Sequence, residues 1–269
     1  MLKFLYCLDS NYNQQFLTSL NSVLENIDET IDCYVIHKNP ESLKTLIEEL
    51  NFKHKNLNSL SFFKFKETIK KFPNLGNNHV SEATYYRFFI DNYFDESIDN
   101  IIYLDCDVIC LNNPRKILDE LKNKVSTSNN VIAASTEYIK SKDTREVFDR
   151  LEMKSNSYFN AGIMIIDLKK WRKQNIQKLL VNLMYEIYEN IDFWDQDIMN
   201  CFFDGAYLEL SEYLNFKDTQ GDKVNDDQSR SIIFLHYAGS NKPWTIPGSF
   251  SNYANYFHES YSKIFKQKY

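Results

Sequence analysis

The chain has 269 residues, enough for one large α/β domain or two smaller ones. Hydrophobic residues make up 43% of it and aromatic residues 15%, which supplies a core and excludes wholesale disorder. A net charge of −6 argues against a dedicated nucleic-acid binder, and no window approaches the ~20 apolar residues of a membrane span.

Residues 2–8 (LKFLYCL) predict a buried strand ending at Asp9. This apolar opening has no basic flank and no small-residue cleavage site, so it does not read as a secretory leader. Cys7, Cys33, Cys106, Cys110 and Cys201 are odd in number and lack a C-x-x-C, so reduced thiols in a cytoplasmic protein are expected. Ser10 or Asn11 can cap the next helix, whose face is Phe16, Leu17, Leu20, Val23 and Leu24. A strand at 31–36, a helix opened by Asn39-Pro40 and running over 41–50, and a strand at 60–65 follow. This alternation implies βαβ units and a largely parallel sheet.

Residues 70–80, with Pro, Gly and several Asn, predict a mobile loop, and Ser81 can cap a helix to about Phe94 that carries Thr84 and Arg87. The apolar run 101–110 reads as a central strand. Asn113-Pro114 opens a helix to Leu121, followed by a polar loop over 123–130 and a strand at 131–135. Residues 158–167 predict a strongly apolar strand holding Gly162, where a glycine lets another group approach closely. A long helix is expected over 168–188, a short one from Trp194 to near Phe203, and a strand at 206–210. Residues 211–230 read as polar loop, 232–235 as a last strand delivering His236, and 237–250 as a Gly/Pro loop. We expect one domain over 1–250 and an aromatic, mildly basic tail over 251–269.

Chemistry concentrates at strand ends, where parallel α/β sheets bind ligands. On an extended strand Asp105 and Asp107 would face the same way, their Cα atoms ~6–7 Å apart, and their mutual repulsion would favour a divalent cation. The same pair also suits a turn cap beside a solvated carboxylate. His236, placed after an apolar run, is either a structural histidine or a third ligand. In the latter case one imidazole among carboxylates suits Mn2+ better than Mg2+ or Ca2+. Gly239 and Lys242 could then hold phosphate oxygens, Lys242 otherwise being a surface lysine. Tyr12 could stack a base or simply pack, and Arg87 could reach a phosphate or the Asp pair. Asp195-Gln196-Asp197 either caps its helix or lines a sugar pocket.

Taken together, Y-L-D-x-D-V at 103–108, Y-F-N-A-G at 158–162, D-L-K-K-W-R at 167–172, W-D-Q-D-I-M-N at 194–200 and H-Y-x-G-x-x-K-P-W at 236–244 resemble glycosyltransferase family 8. Bacterial lipopolysaccharide α-galactosyltransferases are the best likeness, with glycogenin and galactinol synthase further off. The resemblance implies a Rossmann-like α/β domain of GT-A type and a retaining hexosyltransferase dependent on Mn2+, with Mg2+ as the alternative metal. Its donor would be UDP-galactose or UDP-glucose and its acceptor a saccharide or glycan of the cell surface. It further implies that Asp105, Asp107 and His236 bind the metal, and that Asp9, Asn11 and Tyr12 hold the uridine. Arg87, Gly239 and Lys242 would serve the donor. Asn160, Asp195 and Gln196 would surround the sugar, Gln196 beneath its anomeric carbon, and the loops 72–80 and 239–244 would fold over the donor. Ser10 stands where the galactosyltransferases have a second aspartate, and none of Ser135, Thr136 and Glu137 is assigned to their sugar-facing aspartate. Both departures leave the donor sugar open. The tail resembles the membrane-associating end of those enzymes but is shorter, implying at most a weak peripheral contact. Two other readings remain. One is a haloacid-dehalogenase-like phosphatase, whose signature also ends in D-x-D and for which Gly221-Asp222 through Asp226 supplies a second string. The other is a nucleotide-sugar binder without catalysis.

Overall fold

A computed structural model describes residues 1–69, 71–73, 80–137, 141–219 and 230–265. Its first half alternates β1 (Lys3–Leu8), α1 (Asn13–Asn26), β2 (Ile31–His37), α2 (Pro40–Leu50) and β3 (Leu57–Lys64). A 3₁₀ helix at Glu82–Asn92 leads to β4 (Asn100–Leu104) and β5 (Val108–Cys110). The second half runs α3 (Arg115–Thr127), β6 (Ile132–Thr136), α4 (Ser141–Arg150), β7 (Phe159–Asp167), α5 (Leu168–Lys173), α6 (Ile176–Glu186) and α7 (Trp194–Phe203). It closes with β8 (Leu208–Glu209), β9 (Phe216–Lys217), β10 (Phe234–His236) and α8 (Ala254–Ile264).

The main sheet has seven strands in the order β3-β2-β1-β4-β7-β6-β8. It is parallel from β3 to β4, with β7 running antiparallel to both β4 and β6. Helices cover both faces, so β7 is buried at every position, and its unbroken apolar run replaces the alternation of a half-exposed strand. The expected α/β class, built on a mostly parallel sheet, is therefore what forms. No disulfide joins the five cysteines. Among the described residues no helix is long and apolar enough to cross a membrane.

Several expected elements differ. The run 101–110 is not one strand: pairing with β7 ends at Leu104, and β5 belongs to a second, three-stranded sheet of order β5-β10-β9. Asp105 and Asp107 thus lie in the turn between two sheets, and strand alternation is not what brings them together. The expected long helix breaks at Asn175, whose φ of 53° is a left-handed conformation that asparagine tolerates. On either side of the break, Trp171 and the stripe Ile176, Leu180, Met184 bury in the same core cluster. α3 extends past Leu121 because Val125 continues the buried stripe of Leu118 and Leu121. α4 escaped the sequence reading because its first turns are wholly polar. Asp9, rather than Ser10 or Asn11, caps the first turn, accepting from the Asn11 N–H at 2.9 Å. Ser81 caps as expected, but Asn39 makes no side-chain cap bond. Within 211–230, read as loop, β9 forms. Most of the loop 70–80, the string from Gly221 to Asp226, and Lys266 and Lys268 of the tail lie outside the described residues. The rest of the tail centres on α8, which buries Phe257, follows the buried Tyr253 and packs along α1, with Ser260 donating to the Thr18 carbonyl.

His37, at the end of β2, is fully buried. Its Nδ1 accepts from the Asn39 N–H at 2.7 Å, so Nε2 carries the proton and donates to Asn13 Oδ1 at 2.8 Å. Burial lowers its pKa from 6.5 to about 4, against a smaller opposing pull from Asp9. Because the folded value is the lower one, His37 stabilises the fold fully above pH 6.5, and that contribution is lost as pH falls toward about 4. In an NMR titration its imidazole is expected to remain neutral at pH 5; protonation near pH 6.5 would contradict this arrangement.

Candidate active site

An open cleft of about 790 Å³ lies at the carboxyl ends of β1 and β4, bounded by the start of β7, the start of α7 and the residues after β10. That volume is typical of small-ligand sites. Tyr12, Arg87, Asp105, Asp107, Asn160, Asp195, Gln196, His236, Gly239 and Lys242 all line it. Asp9 and Asn11 do not; Asp9 spends its carboxylate on the turn that precedes Tyr12. Tyr12 meets the Trp244 ring edge-on, with centroids 6.1 Å apart.

Asp105, Asp107 and His236 each offer one ligand atom, and these atoms all lie within 4.8 Å of one another. Asp107 Oδ1 is buried with no hydrogen-bond partner among the described residues, 3.4 Å from His236 Nε2. On the other side of the ring, His236 Nδ1 is 2.9 Å from Asn215 Oδ1, while Asn215 Nδ2 donates to Asn160 Oδ1 at 3.0 Å. Since Asn160 Oδ1 also accepts from the Gly162 N–H, the amide of Asn215 can point only one way. The network therefore assigns the proton to Nδ1 and turns the Nε2 lone pair toward Asp107. Asn215 is buried and central, yet nothing in the polar stretch around it marked it.

Gly162 is what lets these groups meet. A Cβ there would stand 2.3 Å from His236 Cε1 and 2.9 Å from Asp105 Oδ2. The close approach expected at this glycine is thus that of the His236 imidazole and the Asp105 carboxylate. Gly162→Ala is expected to displace the ring, destabilise the protein by ~1–3 kcal/mol and weaken divalent-cation binding by calorimetry. Unchanged affinity would show that the three side chains do not act together.

Arg87 is buried: Nη2 pairs with Asp105 at 2.8 Å, Nε donates to the Thr84 carbonyl at 3.0 Å with the Asp195 carboxylate also 3.0 Å away, and Nη1 donates to the Ala161 carbonyl. Its guanidinium carbon lies 4.0 Å from the Tyr103 ring centroid. It sits between Asp105 and Asp195 and holds both carboxylates at the cleft wall. Burial raises the Asp195 pKa to about 6, although Arg87 and a hydrogen bond from Thr84 pull it down. Its contribution to stability is complete below its ordinary value of 3.8 and is lost as pH rises through about 6, opposite in sign to that of His37. Burial also pushes Asp107 upward, but the Lys242 ammonium outweighs it and holds that carboxyl well below its ordinary range. Lys242 donates to Asp107 Oδ2 and, at 2.7 Å, to the Tyr237 carbonyl.

Gln196 Oε1 accepts from the Ala161 N–H at 3.1 Å, and its Nε2 donates to Glu137 Oε2 at 3.0 Å and to the Tyr158 hydroxyl at 3.3 Å. Asp197 faces away from the cleft. It accepts from Tyr158, from Arg150 and from the backbone N–H groups of Asp192 and Phe193, a capping role.

Residues 3–246 match the family model described as glycosyl transferase family 8. General stress protein A of Bacillus subtilis (strain 168) is 28% identical over 277 aligned residues, spanning 96% of this chain and 92% of its own. The lipopolysaccharide 1,2-glucosyltransferase of Escherichia coli is 26% identical across 95% of this chain and 76% of its own. Among solved structures, the galactosyltransferase LgtC in complex with donor and acceptor sugar analogues superposes with a TM-score of 0.82 at 23% identity. That likeness covers 98% of this chain and 96% of the other, and it speaks to the fold.

Proposed function

The chain belongs to glycosyltransferase family 8 and is a hexosyltransferase, and from that premise we propose that it takes glucose or galactose from a UDP-sugar and delivers it, with retention, to a saccharide of a cell-surface glycan. The observation that carries this reading is the convergence of Asp105, the unpartnered Asp107 Oδ1 and the His236 Nε2 lone pair on one point of a cleft that also exposes Gln196. The family match sets the phosphatase alternative aside.

Two carboxylates and one imidazole, with a buried acceptor lacking a donor, fit a divalent ion of the Mn2+ kind. Such an ion supplies positive charge where a diphosphate departs. Asp105, Asp107 and His236 would hold it, with Asn215 fixing the ring and Arg87 fixing Asp105. Lys242, on its glycine-containing loop, adds an ammonium toward the same diphosphate and offsets the charge that develops on it. Tyr12 forms the wall on the base side, with Asp9 and Asn11 behind it. Asn160 and Asp195 would bind sugar hydroxyls, and Gln196 Oε1 would face the anomeric carbon. A carboxamide is a feeble nucleophile, so we favour attack on the same face within an oxocarbenium-like ion pair. There the leaving phosphate oxygen takes the proton of the acceptor hydroxyl.

Incubated with UDP-glucose or UDP-galactose and Mn2+, the protein is expected to release UDP slowly without acceptor, and not after chelation. No UDP release from either sugar, with or without acceptor glycans, would overturn the proposed donor.

A further inference from the structure

The geometry points to Lys217 as a positioning residue that sets the orientation of the Gln196 carboxamide by pinning Glu137. This rests on the reading of Gln196 given above and extends it to residues that reading did not use. Lys217 lies on β9, directly opposite His236 in the three-stranded sheet, and is 8% exposed. Its Nζ meets Glu137 Oε1 at 2.7 Å, while Glu137 Oε2 receives the Nε2 of Gln196 at 3.0 Å. Glu137 forms part of the cleft wall.

The chemistry of these partners leaves the amide no alternative. A carboxylate can only accept and the Ala161 N–H can only donate, so Nε2 must face Glu137 and Oε1 must face Ala161. Turned by a half rotation, Gln196 would set its oxygen against the carboxylate and its NH2 against an N–H. Of the two lone pairs on Oε1, Ala161 takes one, and the other is left to face charge developing on the sugar. Without Lys217, Glu137 could swing toward solvent and release the amide. Burying an ammonium is costly, and a pair in the wall of a cleft, one hydrogen bond from the proposed sugar-facing side chain, is where that cost has a use. Through the register of β9 with β10, the same small sheet carries both His236 and the group that orients Gln196.

The test is a double-mutant cycle on UDP release from UDP-glucose and UDP-galactose with Mn2+, joined to crystal structures of the variants. Lys217→Met is expected to lower kcat by ~10–100-fold with KM for the donor within ~3-fold, and Lys217→Arg to restore most of the loss. In a Gln196→Ala background Lys217→Met should cost less than ~2-fold further, because the group it orients is gone. The Lys217→Met structure should show the amide detached from the Ala161 N–H; should that variant not fold, Lys217→Gln takes its place in both measurements. An equal loss in both backgrounds, or a Gln196 amide still bonded to Ala161 and Glu137, would overturn the proposal. Normal turnover in Gln196→Ala alone would instead defeat the role given to Gln196, while the structure would still decide whether Lys217 orients it.

Discussion

Asp107→Asn is expected to weaken Mn2+ and UDP binding together, by ~10²-fold or more for the ion, about 2.7 kcal/mol. The substitution removes one full ligand charge from a point where three ligand atoms lie within 4.8 Å. UDP should follow because a diphosphate is held in part through the cation. A second consequence follows from Lys242, which is buried against Asp107 Oδ2. An asparagine oxygen can still accept its hydrogen bond but no longer matches its charge, so the variant should also melt earlier without ligand. Calorimetry with Mn2+, then with UDP at saturating Mn2+, separates the two effects, and circular dichroism checks the fold. Normal affinity for both ligands would remove Asp107 from the proposed metal set.

Gln196→Ala should behave differently. It leaves the charges of Asp105, Asp107, His236 and Lys242 untouched, so UDP affinity should stay within a few-fold. Turnover should fall by ~10–10³, or about 1.4–4 kcal/mol of barrier, if Oε1 faces the anomeric carbon. Removing the side chain also frees the Ala161 N–H and Glu137 Oε2, which lose a partner at the cleft wall. Loss of UDP binding with an intact fold would place Gln196 at the nucleotide instead.

The two substitutions divide the cleft into a charge cluster and a sugar face, and the hydrogen bonds show how these are joined. Asn215 bridges His236 to Asn160, and Arg87 bridges Asp105 to Asp195. A variant at either bridge should therefore affect both ion binding and turnover, unlike the two ends.

Local pattern was enough for much of this protein. The βαβ alternation before residue 65 follows from apolar runs of strand length separated by helical stripes, because burial on both sheet faces demands it. The short D-x-D, N-A-G, W-D-Q-D and H-Y-x-G segments could be recognised, and all of them contribute residues to one cleft. What local pattern could not convey was set by contacts between distant segments. The chain leaves the main sheet at Asp105 and enters a second sheet at Val108, so the carboxylates converge through a turn. Alternation in the sequence cannot register that, because a change of sheet depends on which strand waits at the other end, here β10. Asn215, Glu137 and Lys217 carry no signal of their own. They matter because a half-buried carboxylate, a buried amide and a buried ammonium must each find a partner, and only the folded chain decides that Glu137 meets both Lys217 and Gln196 and that Asn215 meets both Asn160 and His236.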